Sequence, residues 1–296
     1  MAKSTSHYLV VGADSMVGAA LITRLRQSGA SVTGTTRRRD KVGSDCFFLD
    51  LSREPHLWQP PRHVDAAFLC AGITGIQTCK QKPVESRRIN VEGISQIANN
   101  LHNAGAFVIY LSTNQVFDGS KPFRSPQDSR NPVTEYGRQK AEAERRLLAD
   151  GTAGAIVRLT KVLGPANSLF SAWAHSLQGG QSIQPYSDMT FAPVPLSCVV
   201  SVLKLIGARR LNGIFHISGE KDITYEMAAR IGAQAMGVEM SLVKPVKYPR
   251  DDAQLEPVPA HTTLNVDALK SAIGIVPPNV QWAVETAFLR PHLLDP

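Results

Sequence analysis

In this chain of 296 residues, the side chains best suited to proton chemistry are Tyr136 and Lys140, in the run Tyr136-Gly137-Arg138-Gln139-Lys140. Four residues apart, they would share one face of a helix. An ammonium beside a phenol favours the phenolate and lowers a pKa that starts near about 10, which would make Tyr136 a usable proton donor and acceptor around neutral pH. The plainer alternative is an exposed helix face carrying two polar groups. Thr113 follows the apolar run Phe107 to Ser112. Its hydroxyl can orient or polarise a carbonyl oxygen, and open sheets bind ligands at the carboxyl edge of such a strand.

A second set of residues suits a dinucleotide. Gly12-Ala13-Asp14-Ser15-Met16-Val17-Gly18 lies between the first apolar run and the first amphipathic segment. Exposed N–H groups and the positive end of a helix dipole would meet a pyrophosphate there. Gly12 permits a tight turn, Gly18 allows close helix-to-strand packing, and Ser15 stands where a middle glycine is usual. The competing reading is a strand-to-helix turn in which Asp14 or Ser15 caps the helix. The second strand ends in Thr35-Thr36-Arg37-Arg38-Arg39, where an NAD site would carry an acidic residue for the ribose 2'-hydroxyl. Guanidinium groups at Arg37 and Arg38 favour a 2'-phosphate, which points to NADP rather than NAD; a solvated basic loop is the other reading. Asp50-Leu51 could bond the adenine amino group, and Ala71-Gly72 could let the cofactor approach the backbone.

These residues need a scaffold, and the chain supplies short apolar runs alternating with longer amphipathic segments. Strands are predicted at Tyr8 to Val11, Ser31 to Thr35, Cys46 to Leu49, Val64 to Leu69, Phe107 to Ser112 and Ala155 to Leu159. Between them, helices are predicted at Met16 to Gln27, Val84 to Asn103 and Tyr136 to Ala149, the last opened by Pro132 and closed by Gly151. The pattern is that of an α/β fold, a doubly wound parallel sheet of Rossmann type over residues 1–164. Residues 165–296 read as a smaller substrate-binding region, with some elements returning to the main core. Its helices are predicted at Leu169 to Gln178, Pro195 to Leu205 and Thr224 to Met236, with a strand at Ile214 to Ser218. Phe170, Trp173 and Trp58 have the spacing of core residues.

Composition narrows the partners. The chain is 43% apolar and 19% charged, and its net charge of +7 favours anionic ligands. The basic residues are scattered apart from Arg37 to Arg39, and no nucleic-acid motif accompanies them. Cys46, Cys70, Cys79 and Cys198 have no metal or redox spacing and the histidines form no ligand pattern, so no metal is expected. Reduced thiols point to a cytoplasmic protein, and no apolar run is long enough for a membrane span.

Taken together, Gly12 to Gly18, Asp50-Leu51, Ala71-Gly72, Asn90, Ser112 to Gly119 (STNQVFDG), Tyr136 to Lys140 and Arg158 to Pro165 (RLTKVLGP) occur in the order and spacing of one family. By them the sequence resembles the extended short-chain dehydrogenase/reductase superfamily, and within it the dTDP-4-dehydrorhamnose reductase group. The resemblance covers about the first 165 residues and implies that Thr113, Tyr136 and Lys140 form a catalytic triad. Tyr136 would give a proton to a carbonyl oxygen while NADPH gives hydride to its carbon, and Lys140 would also hold the nicotinamide ribose. The implied substrate is a keto sugar, nucleotide-linked, beside Thr113, Asn114 and Gln115; Asn90 would belong to the cofactor site. Two departures stand out. Asn114-Gln115 replaces the Asp-Tyr of the reductases and the Asp-Glu of family dehydratases, and an amide pair cannot supply the protons of a dehydration. The C-terminal Arg-Pro signature is absent, since Pro259 to Leu264 read PAHTTL. A nucleotide-sugar epimerase and a non-catalytic NADP-binding regulatory protein are the alternatives, and a homodimer is left open.

Overall fold

The computed structural model describes residues 6–53, 55–60, 63–164, 168–252 and 254–290. Pro165 of the RLTKVLGP run lies outside them. The chain forms two compact units. One takes it as far as Phe117, then Arg130–Arg158 and Val200–Phe215; the other takes Asp118–Ser129, Leu159–Val199 and the chain from His216 onward.

The first unit is built on β1 (His7–Val11), α1 (Met16–Gln27), β2 (Ser31–Thr36), β3 (Cys46–Phe48), β4 (Ala66–Leu69), α2 (Ile76–Gln81), α3 (Pro83–Arg87), α4 (Ile94–Asn103), β5 (Phe107–Thr113), α5 (Glu135–Ala149) and β6 (Ala155–Leu159). Its sheet has seven strands in the order β10-β6-β5-β4-β1-β2-β3, where β10 is Gly213–Ile217. Leu9, Val10 and Val11 of β1 are fully buried, which is why that strand reads as an unbroken apolar run. The parallel registers Val11↔Thr35, Val11↔Leu69 and Leu69↔Tyr110 bring the carboxyl ends of β1, β2, β4 and β5 to one edge. Strand order reverses between β1 and β4. That is the switch point at which open α/β sheets leave a crevice. The predicted doubly wound sheet is present, with β10 as a strand beyond the six.

Beyond unpredicted helices and shifts of a residue or two at element ends, three departures from the sequence reading bear on the site and its surroundings. The helix predicted from Val84 to Asn103 is three pieces: α3, a wider π turn over Arg88–Gly93, and α4. A Cβ on Gly93 would stand 2.3 Å from the Leu51 carbonyl oxygen, so the turn runs against the backbone after β3. Pro132 does not open α5. That helix starts at Glu135, capped by Thr134, whose hydroxyl accepts from the Gly137 N–H at 3.0 Å. The helix predicted from Pro195 begins at Leu196 instead, because Pro193–Pro195 is extended and paired to another strand.

That pairing belongs to the second unit: β7 (Lys161–Leu163) with β9 (Pro193–Pro195) in parallel, and β8 (Thr190–Phe191) with β11 (Ile223–Thr224) antiparallel. The helices are α6 (Ser168–Gln178), α7 (Leu196–Arg209, continuing into the first unit), α8 (Tyr225–Met236), α9 (Asp267–Ile273) and α10 (Val280–Leu289). Phe170, Phe191, Tyr225 and Phe288 form the aromatic centre of this unit's core, with Trp173 packed against it. Trp58 packs on the core of the first unit.

Thr134→Ala is expected to lower the unfolding free energy by about 1–2 kcal/mol, the usual loss for a helix N-cap, in urea denaturation followed by circular dichroism.

Candidate active site

At the end of β5, three successive residues each meet α5, at successive turns of that helix. The Thr113 hydroxyl is close enough to the Tyr136 phenol to favour its charged form. Lys140 Nζ donates to the Leu111 carbonyl oxygen at 2.6 Å and sits 4.1 Å from the Tyr110 ring centroid. Ser112 Oγ donates to Glu144 Oε1 at 2.5 Å. Positions 136, 140 and 144 repeat every four residues and so fall on one helix face. Thr113, Tyr136 and Lys140, chosen from sequence, are therefore together, and all three are buried.

The Glu144 carboxylate lies within this layer and is 0% exposed. Arg158 from β6 neutralises it, with Nε to Oε1 at 3.0 Å and Nη2 to Oε2 at 2.7 Å, and Arg130 adds a longer contact of 3.4 Å. The Arg158 guanidinium also lies 4.9 Å from the centre of the Phe117 ring. Glu144 was missed in the sequence. Its signal was its place one turn beyond Lys140; that of Arg158 was its place in the RLTKVLGP run.

The electrostatics differ from the sequence expectation. An ammonium was expected to lower the Tyr136 phenol. Burial instead pushes that phenol up, with Cys79 adding to the rise and the Thr113 hydroxyl opposing it. Lys140 is itself pushed down to about 7 by burial, against the pull of Glu144, Cys70 and Cys79. Desolvation disfavours both charged forms and outweighs the nearby charges.

A cleft opens where the strand order reverses. Gly12, Asp14 and Ser15 form one wall, Arg37 and Asp50-Leu51 another, and Ala71-Gly72 a third. Gly12 has φ +87°, and a Cβ there would stand 2.8 Å from the Ala71 backbone, so both its conformation and its surroundings require glycine. A Cβ on Gly18 would stand 2.2 Å from the Gly12 carbonyl oxygen, which is the close helix packing expected of it. Ser15 caps α1: its Oγ donates to the Gly12 carbonyl at 2.8 Å and accepts from the Gly18 N–H at 3.1 Å. Its carbonyl takes the Ala19 N–H, so Met16 and Val17 supply the other N–H groups of the first turn. Burial alone would raise the Asp50 carboxyl, but hydrogen bonds from Ser52 and the charges of Arg53 and Arg37 bring it below its ordinary value.

The three arginines after β2 have separate surroundings. Arg37 lines the cleft, Arg38 Nε pairs with Asp14 Oδ2 at 2.7 Å, and Arg39 stacks 4.3 Å over Phe48. Asn90 is 2% exposed, and its amide braces other residues. Its Oδ1 accepts from the Ile73 N–H at 2.8 Å, while Nδ2 donates to the Ile73 carbonyl and to Gln139 Oε1, each at 2.9 Å. It thus ties the loop after β4 to α5. Asn114 and Gln115 lie in a short 3-10 turn directly after Thr113, with the Gln115 N–H donating to Thr113 Oγ1 at 3.2 Å.

A sequence model of the RmlD substrate binding domain family matches residues 6–291. The chain belongs to that family. Among its relatives is methionine adenosyltransferase 2 subunit beta of Bos taurus, 27% identical over 253 residues, which are 80% of this chain and 74% of that one. The probable low-salt glycan biosynthesis reductase Agl14 of Haloferax volcanii is 25% identical over 300 residues, 94% of this chain and 97% of that one. The crystal structure of dTDP-4-dehydrorhamnose reductase from Bacillus anthracis in complex with NADP has the same fold, with a TM-score of 0.85 at 17% identity over 98% of this chain and 99% of that one. RmlD-family membership thus covers both units, beyond the first 165 residues that carried the resemblance in sequence.

In this RmlD-family chain, the buried groups set two expectations. Replacing Arg158 by Met leaves the Glu144 charge without its bidentate partner and is expected to cost about 3–5 kcal/mol in urea denaturation. For Lys140, the folded pKa of about 7 lies below the ordinary 10.5, so between these values the unfolded chain binds a proton that the folded one does not. Stability therefore rises with pH above 7, by at most about 1.4 kcal/mol per pH unit. Cys70, held up to about 12 by burial from an ordinary 9.0, works in the opposite direction above pH 9. Urea midpoints measured from pH 7 to 9 should climb, and Lys140→Met should flatten the climb. Equal slopes in the two proteins would show that Lys140 is not depressed.

Proposed function

We propose that the chain is an NADP(H)-dependent reductase of a keto group on a nucleotide-linked sugar. The observation that carries this reading is the burial together of Thr113 and Tyr136 at the carboxyl end of β5, with Lys140 one helical turn behind and bonded to the same strand. The cleft at the strand reversal fits a dinucleotide. Its floor is a Gly12–Ala71 approach too close for any side chain, the first turn of α1 offers N–H groups, and Arg37 faces in. The reductase Agl14 and the NADP-bound reductase structure support the same assignment.

Once bound, the nicotinamide supplies a hydride for the carbonyl carbon. The chain's own groups then handle the oxygen. Thr113 Oγ1 orients the carbonyl, and Tyr136 Oη donates the proton as negative charge develops there. A phenol that burial keeps protonated suits that direction of transfer. Lys140 Nζ, anchored on the Leu111 carbonyl, would hold the nicotinamide ribose and carry the charge that stabilises Tyr136 after it has given up its proton. Burial of Tyr136 and Lys140 keeps bulk water away from the transfer. In this reading residues 1–164 bind the cofactor for the most part and residues 165–296 the sugar nucleotide, with Val200–Phe215 returned to the first unit and Asp118–Ser129 and residues 159–164 lent to the second. The four free cysteines suit a reducing compartment such as the cytoplasm. No helix among the described residues is long and apolar enough to cross a membrane. The amides of Asn114 and Gln115 argue against a dehydratase, and the arginines after β2 argue against an NAD-retaining epimerase.

A second reading is a non-catalytic regulatory subunit that binds NADP. It is favoured by the methionine adenosyltransferase 2 beta subunits, at 27–28% identity over 80% of the chain. Oxidation of NADPH over a panel of keto-sugar nucleotides separates the two. The reductase should turn over at least one of them, and Tyr136→Phe should lose about 10²–10⁴-fold in kcat while still binding NADPH. Tight NADPH binding without turnover of any member of the panel would move the assignment to the regulatory subunit.

A further inference from the structure

The sequence alone gives Arg37 and Arg38 the same task, but the structure separates them. Asp14 is an acidic residue inside the loop that would hold a diphosphate, and it lines the cleft. A bare carboxylate there would repel two phosphate charges at short range and oppose the positive end of α1. Arg38 prevents this. Its Nε lies 2.7 Å from Asp14 Oδ2, which places the guanidinium at the loop, and its backbone N–H is held on Thr36 Oγ1 at 3.0 Å. Arg39 is occupied by the face of Phe48. Only Arg37 both lines the cleft and has no ion-pair partner among the described residues, and its charge is felt at Asp50 on the same wall.

We infer that Arg38 acts as the counter-ion of Asp14, making the diphosphate loop neutral enough to bind either dinucleotide, while Arg37 alone selects the 2'-phosphate. The inference rests on the reading that this cleft holds a dinucleotide, but it does not depend on whether any sugar is reduced. It assigns the two adjacent arginines to different properties. Arg38 governs affinity for NADPH and NADH in common, and Arg37 governs the ratio between them. It also explains how an acidic residue is tolerated at position 14. Exposed charge pairs are weakened by salt, so the effect is largest at low ionic strength.

The test is direct binding of NADPH and of NADH to the full chain in low-salt buffer, read by nucleotide fluorescence or calorimetry, for the unmodified protein and four variants. Arg38→Ala should weaken both nucleotides by a similar factor, about tenfold, since it uncovers one carboxylate beside the diphosphate. Asp14→Asn should weaken neither, and Asp14→Asn with Arg38→Ala should return both affinities to within about twofold of the unmodified protein, because the removed cation then has no anion to cover. Arg37→Ala should weaken NADPH by about tenfold and leave NADH unchanged. A loss in Arg38→Ala confined to NADPH, a double variant as weak as Arg38→Ala alone, or a loss of both nucleotides in Asp14→Asn would each overturn the inference while leaving the dinucleotide reading in place. Failure of the unmodified protein to bind either nucleotide would overturn both.

Discussion

The grip of α5 on the end of β5 is the interaction on which the candidate site depends. One helix face, at residues 136, 140 and 144, holds three successive strand residues through a phenol, an ammonium and a carboxylate. The contacts differ in kind, so the strand cannot slide along the helix without leaving a buried polar group unpaired. The carboxylate is the demanding member. It is buried only because Arg158 meets it with two bonds, and that guanidinium comes from the next strand of the sheet. Thus β5, α5 and β6 are joined through a charge that no solvent reaches, and the hydroxyls of Thr113 and Tyr136 inherit their positions from it.

The same burial determines the protonation of the site. The phenol is held in its neutral form and the ammonium is brought to the edge of neutrality at about pH 7. Close to the reacting groups, desolvation dominates. Around the cleft the balance is different, because the arginines and acids there are partly exposed and act as pairs or as open charges. The chain therefore has a dry layer whose one buried carboxylate is matched by a buried guanidinium, beside a wetter groove in which acids and arginines face one another.

Much of the first unit was legible from sequence because its strands are buried on both sides and its helices carry regular apolar stripes. Met16–Gln27 and Ala155–Leu159 match the predicted bounds residue for residue. Local rules put Tyr136 and Lys140 on one helix face and Thr113 at a strand end, while their clustering as a set of three was implied by the resemblance. What the sequence hid were effects decided by distant partners. Periodicity cannot show that Lys140 would be drawn to a carbonyl and stripped of water, or that Arg38 would be taken up by Asp14. Nor can it show that the prolines at 193 and 195 would lie in a strand, since an edge position with few demands on N–H groups suits them. Asn90 was singled out by resemblance; only its bonds to Ile73 and Gln139 show that it acts as a brace.

The wider turn at Arg88–Gly93 resembles an extra residue let into an otherwise ordinary helix. One residue corresponds to about 100° of rotation, so the segments on either side are out of phase with each other. Upstream, Ser86 bonds to Gln139 of α5; downstream, Ile94, Ile97 and Leu101 pack into the core of the sheet. The downstream segment keeps α5 as a neighbour while it turns its apolar side to the sheet. The offset lets the same stretch of chain serve both, like a key cut on two edges.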